Sequence, residues 1–146
     1  MTVEEGRAHD AKATLPDVRT RPVLLVATVA ALVGCGEKAP TPEDEVRDVV
    51  TRFGEANAEK DYQAICDELL AAALVDNVEQ YGLPCEIAFK QGIGDVRAPT
   101  LELGAVRVDG DRASARVTTT AQGQPASTDT LALRRVGDQW RIAALR

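Results

Sequence analysis

The sequence predicts an α+β domain over residues 42–146: helices first, then a four-stranded antiparallel sheet. Two observations carry this. Apolar residues recur at three- and four-residue steps up to about Gln91, and after Gly94 they alternate with polar ones. Sequences that favour tight turns, Asp109-Gly110 and Gly137-Asp138, then divide the second half into short strands. Segregated helices and strands, rather than interleaved ones, mark the α+β class. The meander must cover its inner face, and the helices are the only cover available.

Thr41-Pro42-Glu43-Asp44 reads as a helix start: a capping hydroxyl, proline at the first helical position, and acids at the positive end of the dipole. Val46, Val49, Val50 and Phe53 then share one face, giving a helix from Pro42 to about Ala56. Asp61-Tyr62 opens a second helix, with Tyr62, Ile65, Cys66, Leu69, Leu70 and Ala73 at helical spacing, whereas Val75 to Tyr81 fits no single pattern. Gly82-Leu83-Pro84 breaks the chain, and a third short helix spans Cys85 to about Gln91.

In the strands, Leu101, Leu103, Ala105 and Arg107 alternate with Glu102, Gly104, Val106 and Val108. Beyond the Asp109-Gly110 turn, Ala113, Ala115, Val117 and Thr119 share a face. Residues 122–125 read as a polar loop. A third strand covers about Thr128 to Val136, with Leu131 and Leu133 on one face, and a fourth carries Trp140 and Ile142. This order of elements, closed by Gly-Asp-Gln-Trp-Arg-Ile at residues 137–142, resembles the nuclear-transport-factor-2-like or ketosteroid-isomerase-like domains. The resemblance implies helices packed on a strongly curved sheet, the cystatin-like cone. That superfamily holds enzymes, binding modules and envelope lipoproteins, so the fold does not fix the function.

The segment before this domain reads as a targeting signal. Arg19 and Arg21 precede twelve uncharged residues, 23–34, too few for a membrane span of about 20 but suited to a signal peptide. The run ends in Leu32-Val33-Gly34-Cys35, which resembles the lipobox of bacterial lipoproteins. The resemblance implies cleavage before Cys35, a lipid on its sulfur and an extracytoplasmic, membrane-anchored protein. A buried core segment or a signal without lipid are the competing readings. On the first, residues 1–34 are leader and signal, 35–41 the lipidated cysteine and a proline-bearing tether, and 42–146 the folded domain. Residues 1–18 form a mixed-charge leader, and translation from Val18 would give an ordinary signal.

With 45% hydrophobic but only 3% aromatic residues, the core is expected to be aliphatic. The net charge of −6 lies wholly from Cys35 onward, with 13 basic and 19 acidic residues there, and no basic stripe is evident along the chain. That argues against a nucleic-acid partner. The expected partners are a membrane, reached through the Cys35 lipid, and a small hydrophobic ligand or another envelope protein.

Cys66 and Cys85 remain as an even pair, and in an exported domain a disulfide is the default, with buried free thiols the alternative. The only histidine is His9, so the usual general base and the commonest zinc ligand are missing from residues 42–146. Gly92-Ile93-Gly94 lacks the strand and third glycine of a dinucleotide loop. No cofactor or metal is expected. Tyr62, Tyr81 and Trp140 are the candidate pocket residues, and the resemblance to ketosteroid-isomerase-like enzymes implies an acid-and-tyrosine pair that Tyr62, Asp67, Tyr81 and Glu86 could supply. The sequence therefore favours a non-catalytic binding or structural domain, with a ketosteroid-isomerase-like enzyme or ligand carrier as the alternative.

Overall fold

The computed structural model describes residues 38–146. Helix α1, Pro42–Glu59, opens with a complete capping box: the Asp44 N–H donates to the Thr41 hydroxyl, and the Asp44 carboxylate accepts from the Thr41 N–H at 2.9 Å. The Thr41 hydroxyl and N–H bonds hold the Asp44 carboxyl below its ordinary value of 3.8. A depressed carboxyl favours folding above that value, and its contribution fades as the pH falls below it. Lys60, in the left-handed conformation (φ 61°), ends α1.

The second predicted helix departs from expectation. It is wound as a π-helix over Ala64–Leu69 and stops at Leu70. The reason is tertiary. Leu70 and Ala71 run beside the last strand, where the Ala71 N–H donates to the Ile142 carbonyl at 2.8 Å. An extended backbone there cannot also be helical. The ambiguous stretch that follows is helix α2, Ala72–Glu79, and α3 spans Cys85–Ile93.

The sheet has the order β1 (Thr100–Asp109), β2 (Arg112–Ala121), β3 (Gln124–Val136), β4 (Gln139–Leu145), antiparallel throughout. The β1–β2 and β3–β4 turns place Gly110 (φ 56°) and Gly137 (φ 60°) where a left-handed residue is required. The expected loop at 122–125 is shorter, because Ala121 already pairs with Gln124.

Register shifts between Leu103 and Val106, Thr119 and Ala121, and Ala132 and Leu133 interrupt the ladders. Bulges of this kind bend a sheet. The first also corrects the reading of β1. After the shift, Val106 and Val108 pack against the core, while Ala105 and Arg107 are exposed.

The core lies between α1, the π-helix and the concave face of the sheet. Val46, Val50, Ile65, Leu69, Val117, Leu131 and Ile142 are almost wholly buried, with Trp140 beside them at 3% exposure. Cys66 and Cys85 are joined by a disulfide, Cα–Cα 6.1 Å, which ties the π-helix to the start of α3.

Tyr62 packs against this core, but its hydroxyl is buried with no hydrogen-bond partner among the described residues. An unpaired buried donor costs about 1–3 kcal/mol. Tyr62→Phe is therefore expected to leave stability unchanged or to raise it by up to that amount, as read from urea unfolding. A loss above 1 kcal/mol would show that the hydroxyl has a partner.

Candidate functional site

At one end of the sheet the concave face is not filled. Phe53, Gly54 and Asn57 of α1, Phe89 and Ile93 of α3, and strand residues including Leu101, Thr119 and Ala121 enclose a mostly apolar cavity of about 320 Å³. Gly54 sets the helix–sheet approach, since a Cβ there would stand 3.1 Å from Leu101 Cβ. A second recess of about 280 Å³ shares Phe53, Leu101, Thr119 and Leu145 and adds Val117, Asp129, Leu131 and Arg146.

Asp129 is the residue that sequence reasoning missed. It pairs with Val117 in register, so both lie on the concave face, and its Oδ2 accepts from the Ser127 hydroxyl at 2.8 Å. The signal was present. Alternation carried back two residues from Leu131 places Asp129 among the inward positions. The two cavities together offer apolar walls, threonine hydroxyls, the Asn57 side chain, one carboxylate and, at the recess, Arg146. Their described walls hold no histidine, tyrosine, lysine or second acid. Such a set suits recognition of a small, largely apolar molecule bearing one polar group.

The predicted site residues are dispersed. Tyr62 lines neither cavity. Tyr81 is 90% exposed, in the turn that ends α2, and lines neither cavity. Its N–H bonds back to the Val78 carbonyl and Gly82 follows with φ 86°. Asp67 is exposed, and its backbone carbonyl accepts from Arg141 at 2.7 Å. Glu86 is half-buried and lines neither cavity. The acid-and-tyrosine pair considered from sequence is thus not assembled.

Trp140 is a core residue that also forms the wall of an open cleft of about 550 Å³ at the start of α1. Its indole N–H donates to Glu45 at 3.0 Å, and Arg135, stacked 5.0 Å over the ring, reaches the same Glu45 oxygen at 2.7 Å. Arg52 and Glu68 pair at 2.6 Å in the same cleft. These polar groups are occupied with one another and brace the cleft, whose walls also carry Asp48 and Asp138. Cys35 lies outside the described residues. Among the described residues no group of acids, cysteines and histidines could hold a metal ion.

No family model matches the chain, and no curated protein matches it. Solved structures do. A nuclear-transport-factor-2-like protein of unknown function from Shewanella baltica aligns over 69% of this chain and 87% of its own, with 18% identity and a TM-score of 0.52. The fold is the nuclear-transport-factor-2-like cone. A protein described as a candidate dehydratase of the same family, from Streptomyces avermitilis, aligns over 70% of this chain and 91% of its own, at 19% identity and TM-score 0.51. A de novo designed protein of this fold aligns over 73% and 87%, at 17% identity and TM-score 0.50. The structural overlap establishes the cone, and identities this low leave the chemistry to the residues inside it.

Proposed function

We propose that this chain is a ligand-binding cone held at the bacterial cell envelope by a lipid on Cys35. The observation that carries the binding reading is the apolar cavity of about 320 Å³ whose walls continue into the recess of Asp129. That volume is at the lower end for small-molecule sites, so the ligand is small. Asp129 and Thr119 would orient a hydroxyl or amine on it. The naming of one structural neighbour as a candidate dehydratase supports a cone that admits small molecules. A single carboxylate without a second proton-transfer group in the described walls favours binding over acid–base catalysis.

The anchor rests on the Leu32-Val33-Gly34-Cys35 sequence behind its apolar run. A buried, oxidised Cys66–Cys85 pair suits an oxidising compartment. Among the described residues no helix is long and apolar enough to cross a membrane.

The binding reading is tested by titration with the neutral fluorophore N-phenyl-1-naphthylamine. A saturable, one-to-one rise in emission is expected. Thr119→Phe fills the wall common to both cavities and should abolish that rise while far-UV circular dichroism stays unchanged. Emission that does not saturate, or that survives Thr119→Phe, would show that the cone takes no ligand of this size and polarity.

A further inference from the structure

The convex face of the sheet carries a feature that neither the cone nor its cavity explains. Arg112 of β2 stands directly opposite Arg134 of β3, so the two guanidinium groups share one face. Like charges directly opposed across a ladder are destabilising. Arg107 and Arg116 extend the group on the same face, and all four are exposed; Arg141 of β4, opposite Arg134, is half-buried and hydrogen-bonded to the Asp67 carbonyl and Gln139.

The acids on that face are Glu102 and Asp109, the latter directly opposite Arg112 on β1 though not in a salt bridge with it, with Asp111 in the adjoining turn. Among the described residues the salt bridges are Arg52–Glu68 and Arg135–Glu45, so none of these four arginines has a carboxylate partner. Arg112 and Arg134, with Asp111 and Arg135, line a shallow depression of about 340 Å³.

Charge is also divided along the chain. Residues 100–146 hold seven arginines against five acids, a net +2, while residues 38–99 hold six bases against thirteen acids, a net −7. An acidic domain thus presents one cationic face. It was hidden in the sequence because strand alternation separates its arginines.

The place of this face gives it an occupant. Glu45, in the first turn of α1, binds Arg135, and the Arg135 N–H donates to the Asp111 carbonyl at 2.9 Å. Pro40 lines the cleft beside Asp138 and Trp140. The chain therefore enters the domain at the same end of the sheet as the Arg112–Arg134 pair.

We infer that the arginine face, centred on Arg112 and Arg134, docks the domain on an anionic phospholipid surface. Lipid phosphates would relieve the Arg112–Arg134 repulsion, and guanidinium groups suit bidentate phosphate contacts. Docking at this end would orient the domain on the membrane. The contact is electrostatic and needs no lipid on Cys35, so its failure would leave the anchor and the cavity readings standing.

The test is the partition of the full chain onto vesicles of phosphatidylglycerol and phosphatidylcholine, against phosphatidylcholine alone. Taking the ratio of the two coefficients cancels any contribution of residues 23–34. Arg112→Gln with Arg134→Gln should lower that ratio roughly 25-fold, at about fivefold per arginine near an anionic surface. Raising the salt should abolish the difference. Arg47→Gln with Arg97→Gln, which removes equal charge from residues outside the sheet, should change the ratio less. Equal loss in both pairs, or no loss in the first, would overturn the inference. So would displacement by inorganic phosphate beyond that by chloride at matched ionic strength, which would identify a pocket for free phosphate.

Discussion

Reduction of the Cys66–Cys85 bond is expected to lower the unfolding free energy by about 3 kcal/mol, the loop-entropy value for a closed loop of roughly this length. The bonded residues are 19 positions apart. The effect should be large because, beyond the buried Leu69, Leu70 and Ala71, the closed loop is weakly packed. Helix α2, which lies wholly inside the loop, buries no residue fully, and the Ala71 to Ile142 hydrogen bond is a main tie between this loop and the sheet. Apart from Cys85 itself, α2 and α3 contribute only partly buried side chains to the core, Leu74, Val75 and Phe89 among them. Reduction also leaves two thiols in sites that are 5% and 1% exposed. A fall in Tm of roughly 10 °C or more corresponds to this loss. The comparison is calorimetry of oxidised and reduced protein, with Cys66→Ala/Cys85→Ala as a second variant that leaves no buried thiol. Coincident transitions in all three would remove the bond from the account of stability.

Cys35→Ala should abolish lipid attachment and block signal processing. The proposed lipid forms a thioether with the cysteine sulfur, and alanine has no nucleophile to replace it. The apolar run of residues 23–34 would persist, so the variant is expected to be exported but left unprocessed and unlabelled by a fatty-acid probe. Growth of cells with an alkyne-tagged fatty acid, followed by capture and blotting, reads this directly. Equal label on wild type and variant would place the lipid elsewhere or nowhere, and the envelope assignment would lose its main support.

The fold was legible wherever local pattern and tertiary need agree. The start of α1 followed from Thr41-Pro42, and the inner faces of β2, β3 and β4 from simple alternation at Ala113–Thr119, Leu131–Leu133 and Trp140–Ile142. Legibility failed where long-range pairing overrides local preference. Nothing local marks Leu70 as the point where a helix yields to a strand edge, and a bulge at Gly104 and Ala105 reverses which residues of β1 face inward. Gly104 was the available clue, since a Cβ there would meet the Arg116 carbonyl at 3.2 Å. The candidate site was less legible. Aromatic residues drew attention to Tyr62, Tyr81 and Trp140, yet the cavity is built from Phe53, Leu101, Thr119 and Leu145, with Asp129 beside it. Cavities are set by which side chains are too small to meet across a curved sheet, and this depends on curvature that one-dimensional spacing does not carry.

The central claim, that the unfilled end of the cone is a binding site, is tested most directly by following backbone amides in a heteronuclear NMR titration with N-phenyl-1-naphthylamine. Saturable shifts are expected at Phe53, Gly54, Leu101, Thr119, Asp129 and Leu145, around the two joined cavities. Residues of the braced cleft, Glu45, Asp138 and Trp140, should stay fixed. Shifts centred on that cleft, or none at the cavity walls at saturating probe, would contradict the claim.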